Sequence, residues 1–345
     1  MEKAPLDWAN LDFGYHKTDY NIRYRWKDGA WGPGELTSDE TITMHMAATC
    51  LHYGQECFEG LKAFETSSGD VVVFRPEENA RRLARSCERI IMPPVPEELF
   101  LDALVQVINA NRKYVPPYGT GASLYIRPLV LGTGPQIGVR PAEEYLFLVL
   151  VTPVGPYFKT GFKPVSLLIE DHLDRAAPHG VGDVKLGGNY AAGLAPSLRA
   201  KRLGFADALF LDAREKKYID ECAPANFFAI TKQRQYVTPD SESILPSIIN
   251  KSLVTLAEEM GLRPQRRPIP VEEIFDFAEA GCCGTAAVIT PVGSITYRGR
   301  KAVYCTDDKP GEVCTALYER LTAIQVGDAP DKYGWLFRVP EKVPV

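Results

Sequence analysis

Apolar residues recur along this chain at two spacings, and the places where the spacing changes mark out its elements. Val71-Val72-Val73-Phe74 is a continuous, largely β-branched run, as in a buried strand. Pro76, Glu77 and Glu78 then supply the proline and acids of a helix's first turn. Leu83, Cys87 and Ile90 follow at i, i+4 and i+7 as its buried face, before Pro93-Pro94 ends it. A second helix is predicted after Pro96, with Leu101, Leu104, Val105 and Ile108 on one side. Leu124 to Leu131 and Tyr145 to Val151 are rich in β-branched and aromatic residues and read as strands. Gly132-Thr133-Gly134-Pro135 between them has no helix behind it, so it reads as a turn and not as a phosphate cradle.

Two prolines and a glycine in Thr152-Pro153-Val154-Gly155-Pro156-Tyr157-Phe158 interrupt both spacings. The predicted division falls there: an N-terminal domain over residues 1–152, a linker over 153–163 and a C-terminal domain over 164–345. Beyond it, Val165 to Ile169 and Ala208 to Leu211 read as strands. A helix is predicted from about Ala191 to Leu203, with Leu194 and Leu198 on one face and Pro196 implying a late start or a kink. Leu253, Leu256, Ala257 and Met260 mark another helix, stopped by Gly261, and Val313, Leu317, Leu321 and Ile324 mark a last one.

At 345 residues the chain has length for two ordinary domains, and 45% hydrophobic with 24% charged residues fits a soluble globular protein. A net charge of -5 gives no electrostatic reason to expect nucleic acid or an anionic membrane as partner. The N-terminal residues carry charges and a proline where a secretory signal needs an apolar run, and Tyr145 to Val151 is far short of the ~20 residues that span a bilayer. Eight cysteines without a C-x-x-C pair fit reduced thiols, and five histidines without ligand spacing give no zinc site. A cytoplasmic protein is expected.

The candidate chemistry centres on Val181-Gly182-Asp183-Val184-Lys185-Leu186-Gly187-Gly188-Asn189-Tyr190. A lysine between two apolar residues, if held out of water, loses its proton more easily and becomes a nucleophile or base near neutral pH. The glycines after it allow backbone to approach a flat ligand. Other segments carry charge in equally suggestive contexts. Asp220 and Glu221 stand side by side, Arg81, Arg82 and Arg85 share one predicted helix, and Ile244-Leu245-Pro246-Ser247-Ile248-Ile249-Asn250 leads a turn into a helix whose free N–H groups favour an anion. The residues alone do not choose between the two acids or among the three arginines.

The segment GVGDVKLGGNYAAGL resembles the lysine motif of the branched-chain amino acid aminotransferases, in the fold-type IV group of pyridoxal phosphate enzymes. FRPEENARRL, YIDECAPANF and GTAA match further segments in the family's order, over nearly the whole chain. The resemblance implies a mixed α/β, two-domain protein with a small N-terminal α/β domain and a larger C-terminal domain that has a β-barrel-like core and carries Lys185. It implies transfer of the amino group of L-leucine, L-isoleucine or L-valine to 2-oxoglutarate through a Lys185 aldimine with pyridoxal 5'-phosphate. It also implies a homodimer with residues crossing the interface.

By residue, the resemblance assigns Arg82, Leu245, Ile248, Ile249 and Thr285 to the cofactor phosphate, Tyr190 to the ring hydroxyl, and Glu221 to the pyridine nitrogen, where a carboxylate keeps the ring an electron acceptor. Tyr53, Phe58, Tyr125, Arg127, Val139, Tyr157, Thr285 and Ala286 fall where the family places substrate contacts. An aromatic and aliphatic wall there buries a branched side chain for about 1.5–3 kcal/mol, and Arg127 suits the distal carboxylate of glutamate. The chain departs from many relatives at Ile249 and Pro224, where they have threonine; the first departure loses a hydroxyl and keeps the backbone donor. The C-x-x-C of some relatives would fall at Ala287 and Thr290 and is absent. Relatives with other reactions, namely D-amino acid and R-amine transaminases and aminodeoxychorismate lyases, share the fold, and a non-catalytic ligand-binding homologue is the alternative from another class.

Overall fold

The computed structural model describes residues 2–156, 161–305 and 308–341. Strands β1 (Asn21–Lys27), β2 (Ala30–Trp31) and β3 (Glu35–Thr37) precede a short helix α1 (Thr49–Tyr53). Next come β4 (Glu56–Phe58), β5 (Leu61–Glu65), β6 (Val71–Phe74), α2 (Pro76–Arg89), α3 (Glu97–Ala110), β7 (Ser123–Gly132) and β8 (Tyr145–Val154). The chain continues through β9 (Val165–Glu170), α4 (Gly187–Arg202), β10 (Asp207–Leu211), β11 (Ile219–Cys222), β12 (Asn226–Thr231), β13 (Gln235–Pro239) and α5 (Ile248–Glu259). It ends with β14 (Arg263–Arg267), β15 (Phe277–Gly284), β16 (Val288–Tyr297), β17 (Arg300–Val303), α6 (Glu312–Gln325) and β18 (Leu336–Arg338).

Two compact units result. The first comprises Met1–Lys159, Lys185–Gly187 and Ala323–Val345; the second comprises Thr160–Val184 and Gly188–Thr322. In the first, an antiparallel sheet runs β18-β6-β5-β7-β8-β1-β2, with β3 beside β1 and β4 beside β7. The predicted faces of α2 and α3 hold: Leu83, Cys87, Leu104 and Ile108 are fully buried, and Phe100 stacks on Phe147 of β8. In the second, strands run β11-β10-β9-β16-β15-β12-β13-β14, and a pairing of Glu221 with Asn226 joins β11 to β12. That pairing closes six strands into a barrel filled by Leu167, Leu209, Phe227, Ala229, Val292 and Ile295. A mixed α/β architecture with a barrel core is thus observed as expected.

Three local expectations are corrected. Strand β8 runs on through Pro153 to Val154, inside the span read as linker, because β1 pairs with it only as far as Val149 and the proline needs no donor on that side. Helix α4 starts at Gly187 and passes through Pro196; Asn189, Gly193, Pro196 and Ala200 form its buried face, while Leu194 and Leu198 are 69% and 50% exposed. The third concerns Lys185–Gly187 and Ala323–Val345, which the predicted spans put in the C-terminal domain and which cluster with the first unit. One backbone bond, from the Phe58 N–H, and two bonds to side chains hold the tripeptide there, and β18 pairs with β6. No helix of the described residues is long and apolar enough to cross a membrane.

Candidate active site

In the first unit, three hydrogen bonds fix the lysine tripeptide. The Lys185 N–H donates to Ser86 Oγ of α2 at 3.1 Å, the Phe58 N–H donates to the Lys185 carbonyl at 3.1 Å, and the Gly187 N–H donates to Glu56 Oε1 at 2.5 Å. A Cβ at Gly187 would lie 2.2 Å from that same carboxylate oxygen, so a larger residue would have to displace the Glu56 carboxylate that holds the turn. With its backbone held, the lysine lays Nζ 4.8 Å from the centre of the Phe58 ring. Taken over the whole residue, Lys185 is half-buried. Loss of hydration, helped by the positive charge of Arg82, lowers its amine to about 8. About a tenth of the amine is therefore neutral at pH 7, far more than for an ordinary lysine.

Of the four arginines on α2, only Arg82 is buried. Arg81 is 61% exposed and pairs with Glu78 and Glu97 at the surface. Arg82 donates from Nε to Glu59 Oε1 at 2.7 Å and from Nη2 to Glu59 Oε2 at 2.8 Å, a two-pronged, charge-assisted pair. Glu59 has no exposed surface and also accepts from Asn79 Nδ2 at 2.8 Å. Burial alone would raise its carboxyl, but the charge and hydrogen bonds of Arg82, with Lys185 and Asn79, outweigh it and keep the group below the usual carboxylate range.

Strand β7 supplies Tyr125 and Arg127, two positions apart and so on one face. The guanidinium of Arg127 lies 4.8 Å from the Phe58 ring centre and donates to Tyr125 Oη at 2.9 Å. Its Nε is buried and has no acceptor among the described residues, as suits a donor waiting for an anionic ligand. A Cβ at Gly60 would sit 2.3 Å from Tyr125 Oη, so that glycine makes room for the phenol. Lys62, the register partner of Tyr125, is a second lysine that burial lowers to about 8.

In the second unit, a cleft is lined by Arg175, Val184, Tyr190, Glu221, Pro224 and Leu245, among others. Neighbouring residues on a strand point to opposite faces, which separates the two acids of β11. Glu221 lies in the cleft, where Oε1 forms an ion pair with Arg175 Nη2 at 2.9 Å and accepts from the Leu245 N–H at 3.3 Å, and Oε2 accepts from Asn226 Nδ2 at 2.8 Å. Asp220 instead accepts from Ser243 Oγ at 2.7 Å, and burial raises its carboxyl. Arg175 also donates to the carbonyls of Gly182 and Ser243. Asn189 donates to the carbonyls of Val181 and Val184, bracing the segment that leads to the lysine. At α5, Ser247 caps the helix by accepting from the Asn250 N–H. Ile248 and Ile249 occupy its first turn with buried side chains, so the departure at 249 exchanges a hydroxyl for core packing.

Lys185, Arg82, Phe58, Tyr125 and Arg127 are thus gathered in one unit, and Glu221, Tyr190, Leu245, Ile248 and Ile249 in the other. Thr285 and Ala286 form the turn after β15. Tyr53 is 42% exposed and donates to the Ile137 carbonyl, and Val139 is 85% exposed, so neither sits in an enclosed wall. Tyr157 lies outside the described residues. Sequence reasoning missed Glu56, Glu59, Asn79 and Ser86 in the first cluster and Arg175 and Asn189 in the second. Glu59 alone had a signal, as an acid wedged between Phe58 and Gly60 in an otherwise apolar stretch.

Each unit therefore buries a carboxylate against a guanidinium; the first adds a lysine of lowered proton affinity and the second a capped helix start. Residues 56–295 match the amino-transferase class IV family. The chain is 48% identical to the branched-chain-amino-acid aminotransferase of Haemophilus influenzae, over 97% of this chain and 99% of that one. It is 47% identical to the enzyme of that name from Helicobacter pylori, over 97% and 98%. Among solved structures, the Escherichia coli branched-chain amino acid aminotransferase superposes with a TM-score of 0.79 at 28% identity, covering 94% of this chain and 100% of that one. The T.th. enzyme of the same name, in complex with N-(5'-phosphopyridoxyl)-L-glutamate, gives 0.74 at 26% identity, over 92% and 98%. The chain belongs to the class IV amino-transferases and, within them, to the branched-chain-amino-acid aminotransferases.

Proposed function

We propose that this chain transfers the amino group of L-leucine, L-isoleucine or L-valine to 2-oxoglutarate, giving the branched 2-oxo acids and L-glutamate, with pyridoxal 5'-phosphate as cofactor. The observation that carries this reading is the Lys185 amine, lowered to about 8 and lying over Phe58 beside the Arg82–Glu59 pair. The donors of each unit suit parts of the cofactor: in the first, Arg82 suits a phosphate; in the second, the start of α5 suits a phosphate, Glu221 a protonated pyridine nitrogen and Tyr190 the ring hydroxyl. When bound, pyridoxal phosphate supplies an aldehyde and an electron-accepting ring. Lys185 would then serve as base and acid, its Nζ moving the proton from the substrate Cα to C4′ of the cofactor and, in the reverse half-reaction, back again. Glu221 holds the positive charge on the ring nitrogen. Arg127, with Tyr125 Oη, binds the distal carboxylate of glutamate, and Phe58 contacts branched side chains.

We further assign a homodimer and the cytoplasm. Met46, Leu51, Tyr53, Ile137 and Val139 are all exposed, at 83%, 63%, 42%, 75% and 85%, and the segments that bear them are joined by a hydrogen bond from Gln136 N–H to the Ala47 carbonyl. An apolar patch of that kind suits a protein interface. All eight cysteines are unbridged, as in a reducing compartment.

The test is a half-reaction. Protein loaded with pyridoxal phosphate is mixed with L-leucine, D-alanine or 1-phenylethylamine, and the cofactor absorbance is followed. L-leucine is expected to convert the cofactor to its amine form, with the other two at least about 100-fold slower. Preference for either of the others would overturn the substrate assignment.

A further inference from the structure

We infer that Glu59 is a positioning residue, which orients the Arg82 guanidinium for the cofactor phosphate and supplies negative charge to the Lys185 amine. The inference rests on the function proposed above. The geometry is specific: one wholly buried carboxylate spends both oxygens on the fork of Arg82, takes a further bond from Asn79, and has its own backbone N–H donating to the Pro128 carbonyl at 2.8 Å. An arginine held at two nitrogens by one planar partner cannot rotate about its Cδ–Nε bond, so the guanidinium plane is set before any ligand arrives. Glu59 also follows Phe58 in the chain, whose N–H donates to the Lys185 carbonyl.

The charged and titratable groups acting on Lys185 are Arg82 of α2, Glu59 after β4, and Tyr125 and Arg127 of β7; Arg82 and Arg127 lower the amine, while Glu59 and Tyr125 raise it. Removing the carboxylate charge therefore lowers the amine further, and shortening the side chain while keeping the charge does not. Fork geometry and charge can thus be varied separately. Glu59→Gln removes charge and one acceptor, and Glu59→Asp keeps charge but shortens the reach to Arg82.

The experiment measures cofactor affinity by equilibrium dialysis against pyridoxal phosphate, and the pH midpoint of the bound cofactor's absorbance band, in the natural chain and both variants. Glu59→Gln is expected to weaken cofactor binding about 10–100-fold and to move the midpoint to lower pH. Glu59→Asp is expected to weaken binding comparably while leaving the midpoint near that of the natural chain. Unchanged affinity and midpoint in Glu59→Gln, or a folded state lost in both variants, would overturn the positioning role. A natural chain that binds no pyridoxal phosphate would instead overturn the function on which it rests.

Discussion

Each unit buries one arginine against one glutamate, and the two pairs are built in opposite senses. Arg82 gives two nitrogens to Glu59 alone, so the carboxylate serves as a dedicated holder of the guanidinium. Arg175 uses a single nitrogen, Nη2, for Glu221 and for the carbonyls of Gly182 and Ser243, so here the arginine is a staple between a carboxylate and two stretches of backbone. In the first pair the arginine bears the role that the family motif assigns, and in the second the glutamate does. The lesson is that a motif names the group that meets the ligand, while the group that fixes its direction sits elsewhere in the chain and carries no pattern of its own.

The largest effect that separates the clusters is expected at Lys185, in the first unit. Lys185→Ala should cut transamination of L-leucine by more than about 1,000-fold, measured as steady-state rate, because no other group moves the Cα proton. Next, Glu221→Gln should lower kcat by about 100–1,000-fold through loss of the charge at the ring nitrogen. Asp220→Asn should stay within about 3-fold, since Asp220 faces Ser243; equal losses would reverse the assignment of the two acids.

Arg175→Met tests the staple. Removing one partner of a buried pair leaves an uncompensated charge, so the unfolding free energy in urea should fall by about 3–5 kcal/mol. Activity of the folded fraction should drop about 10–100-fold. A change in stability alone would make Arg175 purely structural. At the small end, Arg81→Ala should shift stability by no more than about 1 kcal/mol and leave cofactor affinity unchanged, since its partners are at the surface; a 10-fold loss of affinity would move the phosphate contact from Arg82 to Arg81.

How much of this was legible in the sequence follows the same division. The helical faces of α2 and α3 and the strands around them were readable, because Leu83, Leu104 and Ile108 repeat at the period of a helix that buries one side. The inward face of α4 was not, because it is made by Asn189, Gly193 and Ala200 instead of by leucines, and its leucines face outward. Lys185, Arg82 and Glu221 came from motifs, and the burial of Arg82 together with the opposed faces of β11 then separated each from its neighbours. Glu59 and Arg175 are recognised only when chain segments distant in sequence are brought together. The closure of the barrel through one pairing, Glu221 with Asn226, is likewise a tertiary fact: β11 and β12 are not among the strands read from the sequence, and nothing in either announces the ring.

Two lysines, Lys185 and Lys62, are lowered to about 8 by burial, and only the first is held over Phe58 beside the Arg82–Glu59 pair. The most direct measurement is therefore to load the protein with pyridoxal phosphate across pH 6 to 10, reduce it with borohydride, and map the labelled peptide by mass spectrometry. Label is expected on Lys185 and not on Lys62, with a capture rate that rises with pH and levels off above about 8 as the amine loses its proton. Label concentrated on Lys62 or on surface lysines, or a rate still climbing toward the ordinary lysine value near 10.5, would contradict it.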